Sequence, residues 1–116
     1  MIDSAANNHA RFVRAQLQDD LVFDGYAQEE WVRVQKYELE SWAALVDLWT
    51  EYNLHLLHVI SSISDETLKK PRTKHSLDKI AWQTVPANQP VTLDYFIRDY
   101  FGHLQEHLRQ IFGNIN

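Results

Sequence analysis

The sequence predicts an all-α fold built on three long amphipathic helices, and three observations carry that prediction. Apolar residues recur at three- and four-residue spacing in three separate stretches. Patterns of alternating strand type are scarce. Only three Gly and three Pro occur in 116 residues, which argues against a turn-rich β fold and against disorder. The length suits one domain, taken as residues 1–116. An apolar share of 45%, with five Phe, five Tyr and four Trp, is enough to build a core.

The first helix is expected over residues 1–18, where Ile2, Ala6, His9, Phe12, Val13 and Leu17 share one side. It has no clear start, because Asp3 and Ser4 could cap only a shortened version. Asp19-Asp20 and the Gly25 region end it. A short helix is expected over 27–37, carrying Trp31, Val34 and Tyr37. The second long helix is expected over 41–61. At ~100° per residue, Trp42, Leu45, Val46, Leu48, Trp49, Tyr52, Leu56, Val59 and Ile60 form one broad arc, opposite Asp47, Glu51, His55 and His58.

Residues 64–91 read as irregular, broken by Pro71, Pro86 and Pro90, with one helical turn over 65–70. The third long helix is expected over 92–112. Thr92 caps it, Asp94 suits the positive end of its dipole, and Gly113 stops it. Leu93, Ile97, Tyr100, Leu104, Leu108 and Ile111 form its apolar stripe. The four Trp residues (Trp31, Trp42, Trp49 and Trp82) are most simply core.

Sixteen acidic against eleven basic residues give a net charge of −5, which opposes nucleic-acid binding through phosphate neutralisation. Lys69-Lys70, Arg72 and Lys74 read as one solvated basic loop. With no Cys, disulfides, thiolate metal sites and Cys nucleophiles are excluded. The first residues lack the basic-then-apolar pattern of a signal peptide, and no apolar run is long enough to span a membrane. The expected location is cytoplasmic.

His103 and His107 stand four apart, so both imidazoles project from one face and can offer nitrogens to one metal ion. On the wheel they flank the apolar stripe near Phe96, Tyr100 and Ile111, and are expected to face the interior. The same spacing also suits two half-buried histidines satisfied by other partners. The string His103-Leu104-Gln105-Glu106-His107 fits the inverted zinc-protease pattern, but nine residues follow it and none is acidic, so the protease is rejected. His55 and His58 lie on a polar arc and read as solvated. His9 reads as a packed histidine, and His75 carries no pattern. Asn53, a polar residue inside the apolar arc, is expected either to contact a ligand or its surroundings at the site, or to bond to backbone.

Residues 92–111, with Tyr95-Phe96-Ile97-Arg98-Asp99-Tyr100-Phe101-Gly102 leading into the HxxxH string, resemble the last helix of DinB/YfiT-like proteins. Residues 2–12 resemble part of the family's second helix, and 31–37 and 49–53 its intervening stretch. The resemblance implies a four-helix bundle of up-down-down-up type, here lacking the first helix and the start of the second. It also implies a divalent metal, commonly zinc or nickel, held by three histidines, of which His103 and His107 match two. The third would precede Met1. The resemblance therefore implies either a natural protein that extends upstream, which is the favoured reading, or one that starts at Met1 with an incomplete site. His9 is a poor substitute, since nine residues of helix rise about 13 Å.

Two functions follow as expectations. One is a metal-dependent thiol transferase or detoxifying enzyme, using a low-molecular-weight thiol and a small-molecule substrate, with a pocket near Tyr100 and Asn53. The other is a non-catalytic, stress-associated helical module with an incomplete metal site, acting as a homodimer. A homodimer is expected because a missing helix leaves an apolar face uncovered.

Overall fold

The computed structural model describes residues 1–113. Among them are six α-helices: α1 (Ile2–Ala15), α2 (Gln28–Gln35), α3 (Trp42–Ser61), α4 (Asp65–Lys69), α5 (Leu77–Ile80) and α6 (Leu93–Phe112). A 3-10 turn at Tyr37–Leu39 follows α2. The described residues contain isolated bridges but no strand. The fold is all-α, and α1, α3 and α6 are the three long helices the periodicity predicts.

The caps explain the boundaries. Ser41 and Thr92 accept hydrogen bonds from the backbone N–H groups of Ala44 and Tyr95, satisfying donors that a first turn leaves unpaired. Gly113, at φ +63°, ends α6 in a conformation that an L side chain resists. No side chain caps α1 at Met1. Asp3 and Ser4 therefore lie inside the first turn, and Asp3 instead accepts bonds from Gln35 and Tyr37.

α1 is the central element and packs against both α3 and α6. Its buried side includes Ala5, Asn8, Phe12 and Ala15, spaced three, four and three residues apart. Phe12 meets the edges of Phe96 and Tyr100, with ring centroids 5.6 and 5.8 Å away. Phe23 stacks on Phe96. Leu21, Leu56, Leu77 and Leu93 are, with Phe12, the largest fully buried side chains. Each stabilises the fold by about 1.5–3 kcal/mol through removal of apolar surface from water. Met1 and Ile2 share a groove with Trp42 to Trp49, and His9 touches Tyr52 and His55, so α1 and α3 run parallel. Phe12 meets Phe96, while Met1 and Ser4 lie beside His103 and His107, so α6 runs antiparallel to α1.

The tryptophans are not core: Trp31, Trp42 and Trp82 are exposed, Trp42 to 79%, and Trp49 is only half-buried. Phenylalanine and leucine side chains from α1, the following loop and α6 fill the interior instead. On α3, only Leu56 is fully buried, with Tyr52 and Ile60 packed against the core. Trp42, Val46 and Leu48, in the first half of the expected apolar arc, are exposed.

The basic loop is not uniformly solvated. Arg72 is only 2% exposed and donates to the carbonyl oxygens of Ala15 and Gln18, each 3.1 Å away. It satisfies the acceptors left open at the end of α1, where the helix dipole favours a cation. Two backbone hydrogen bonds between Arg72 and Val91 fix its position. His75 is likewise buried: its Nδ1 accepts from the Leu77 N–H and its Nε2 donates to the Gln89 carbonyl, 2.7 Å away. The long loop thereby acquires the short helix α5, which the periodicity did not predict. Among the described residues no helix is long and apolar enough to cross a membrane.

Candidate functional site

The second half of α6 brings His103 and His107 together. Their ring centroids are 4.4 Å apart and their planes tilted by 36°. Both line a cavity of about 270 Å³, whose wall also includes Ser4, Asn8 and Arg11 of α1 and Asp99 and Tyr100 of α6. The pair sits at the cavity's edge rather than inside the packed core: His103 is half-buried and His107 exposed. Past Tyr100 no residue of α6 is fully buried, so the pair lies beyond the packed part of the helix. Burial, and then the neighbouring His107, hold the His103 imidazole below the ordinary value of 6.5. Asp99 and Glu106 oppose that shift. The neutral ring, the form able to bind a metal, is thereby favoured.

The loop after α5 positions His103. Trp82 stacks on it with centroids 5.3 Å apart and planes within 5°. Asp99 holds that loop, because its two carboxylate oxygens accept from the backbone N–H groups of Trp82 and Gln83 at 2.9 and 2.8 Å. Gly102 permits the approach: a Cβ there would stand 3.2 Å from the Trp82 ring. The Glu106 carboxylate accepts from neighbours on its own helix, Arg109 and Gln110. It is ion-paired with Arg109, which holds its carboxyl below the usual carboxylate range.

Tyr100 lines the cavity, whereas Asn53 stands behind it on α3. The Asn53 Oδ1 accepts from the Tyr100 hydroxyl at 2.8 Å, and its Nδ2 donates to the Trp49 carbonyl. Asn53 thus makes both a backbone bond and a contact to a residue of the cavity wall. Burial raises the Tyr100 phenol well above its ordinary value of 10.0, so it remains a donor.

Arg11 and Asp99 are parts of this site that periodicity did not single out. Arg11 is 7% exposed and donates to the Asp24 carbonyl at 2.8 Å and more distantly to Asn8 Oδ1 at 3.4 Å. A signal was available: Asn8 and Arg11 precede Phe12 and Ala15 on one side of α1, so a polar pair interrupts a buried face. Asp99 lies four residues before His103, beside Phe96 and Tyr100, where an unpartnered carboxylate would be costly.

The remaining histidines lie elsewhere. His9 Nδ1 and the Tyr52 hydroxyl share a hydrogen bond of 3.2 Å, and His9 meets the edge of exposed His55, which stacks with exposed His58. Among the described residues, no group of three or more His, Cys, Asp or Glu side chains is placed to hold a metal ion. His103 and His107 therefore stand as an isolated pair of adjacent imidazoles. Compared with known proteins, the chain matches no family model, no curated protein and no solved structure.

Proposed function

We propose that this chain is a divalent-metal-binding protein of DinB/YfiT-like type, in which His103 and His107 supply two ligands and the adjoining cavity receives a small molecule. The observation that carries the reading is the convergence of the two imidazoles, 4.4 Å apart, at the edge of a cavity lined by polar side chains. The helix directions support it as well, since parallel α1 and α3 with antiparallel α6 suit the last three helices of an up-down-down-up bundle. A bound zinc or nickel ion would supply a Lewis acid able to stabilise a thiolate, which fits a thiol transferase. This chain's own residues contribute positioning. Trp82 and Asp99 fix the His103 ring, and Asn53 orients Tyr100 at the cavity wall.

Metal analysis after dialysis against zinc or nickel tests this reading. Wild type should retain metal weakly, as two protein ligands allow, and less as pH falls and the imidazoles protonate. His103→Ala and His107→Ala should abolish retention, while His55→Ala and His58→Ala should leave it unchanged. Equal retention by wild type and His107→Ala sinks the assignment.

A second reading, a non-catalytic homodimer, draws on a different surface. Met1, Ile2, Trp42, Val46, Ile111 and Phe112 help line an apolar groove of about 450 Å³ between the ends of α1, α3 and α6. Trp42, Val46, Ile111 and Phe112 are all exposed there. A second copy presenting the same face would cover it.

A further inference from the structure

The cavity beside the histidine pair holds a cation without an acidic partner. Arg11 is 93% buried by its 7% exposure, yet among the described residues no carboxylate stands within salt-bridge distance of it. Its two hydrogen bonds go to neutral acceptors, the Asp24 carbonyl and the Asn8 amide oxygen. A guanidinium carries five N–H donors in a planar fork, so these two bonds leave most of its capacity unused. Buried charges are normally paired, and the Arg11 Nε–H, which makes no bond among the described residues, is still open to solvent and so to a ligand. The nearest competing acid in the cavity wall, Asp99, is already committed to two backbone N–H groups.

We propose that Arg11 anchors the carboxylate of a small ligand in this cavity, alongside the histidine pair. The proposal deepens the reading above and rests on it for the cavity's role as a binding site. A carboxylate matches the guanidinium fork, accepting two parallel hydrogen bonds that a neutral amide cannot reproduce. A singly charged group is favoured over a doubly charged phosphate because Asp99 places a negative charge in the same wall. The volume, about 270 Å³, equals the liquid share of about nine waters and so admits a molecule of on the order of ten heavy atoms. Phe96, Tyr100, Tyr26 and Trp82 give that ligand an aromatic surround.

Benzoate and benzamide are suitable probes, having nearly the same shape and differing in charge. Metal-free, nitrogen-15-labelled protein would be titrated with each while the Arg11 Nε–H and Trp82 indole signals are followed. Benzoate should shift both saturably and bind about tenfold or more tightly than benzamide, the scale of a charge-assisted hydrogen bond. Arg11→Gln should reduce benzoate to the benzamide level. Equal affinities in wild type, no binding of benzoate, or an undiminished preference in Arg11→Gln would each overturn the proposal. The wild-type comparison needs no variant, so it decides the matter even where Arg11→Gln does not fold. Zinc retention, measured on a portion of the same preparation dialysed against zinc, separates the two readings. Metal uptake without a benzoate preference removes the role of Arg11 alone, and a benzoate preference without metal uptake removes the metal alone.

Discussion

The Tyr100 hydroxyl on α6 donates to Asn53 Oδ1 on α3, 2.8 Å away, so a cavity wall is held by a side chain from a helix that does not line the cavity. Asn53→Ala should cost about 1–2 kcal/mol of stability, because it strands a buried donor. Tyr100→Phe in the Asn53→Ala background should then cost less than in wild type. Urea unfolding of the two single variants and the double variant measures the coupling. Additive single effects would show that the pair is not a working hydrogen bond.

Arg72 should behave unlike its basic neighbours. Arg72→Met leaves the Ala15 and Gln18 carbonyls without their charged donor, and should destabilise the chain by about 2–3 kcal/mol. Lys69→Ala and Lys74→Ala, on exposed residues, should stay within about 0.5 kcal/mol. Thermal melts of the three variants test the contrast. A small effect at Arg72 would mean that the end of α1 is satisfied without it.

Stability should also depend on His9. Burial, and then His55, lower its pKa below the ordinary 6.5. The folded chain therefore binds fewer protons than the unfolded chain in the window just below 6.5, so its stability rises with pH there and is lost as pH falls. His9→Gln should reduce that loss between neutral pH and pH values just below the ordinary histidine range. Denaturant midpoints at a series of pH values provide the measurement, and an unchanged slope in His9→Gln would refute the role.

The apolar groove between α1, α3 and α6 predicts self-association. Static light scattering should find a dimer or larger assembly at micromolar concentration. Trp42→Glu, placing a charge in the groove, should weaken association by about tenfold or more, as expected for a central aromatic contact. A stable, folded wild-type monomer at that concentration would remove the prediction.

Features set by neighbouring residues along one helix are legible in the order of the amino acids. Periodicity located α1, α3 and α6 to within a few residues, and Ser41, Thr92 and Gly113 marked their ends, because helix pitch and cap hydrogen bonds act over three or four positions. The same locality made the adjacency of His103 and His107 legible. Tertiary structure alone decided which apolar arcs are covered, since that depends on what packs opposite them. It left Trp42 and Val46 exposed on α3 and buried Leu21 and Phe23 from a loop. It also turned Arg72 and Arg11, ordinary surface residues by composition, into buried donors. Their partners lie far along the chain for Arg72 and across a loop for Arg11, at the end of α1 and at Asp24. A buried arginine draws on acceptors brought to it from other parts of the chain, two for Arg11 and more for Arg72, and that arrangement belongs to the folded chain rather than to any short stretch of its sequence.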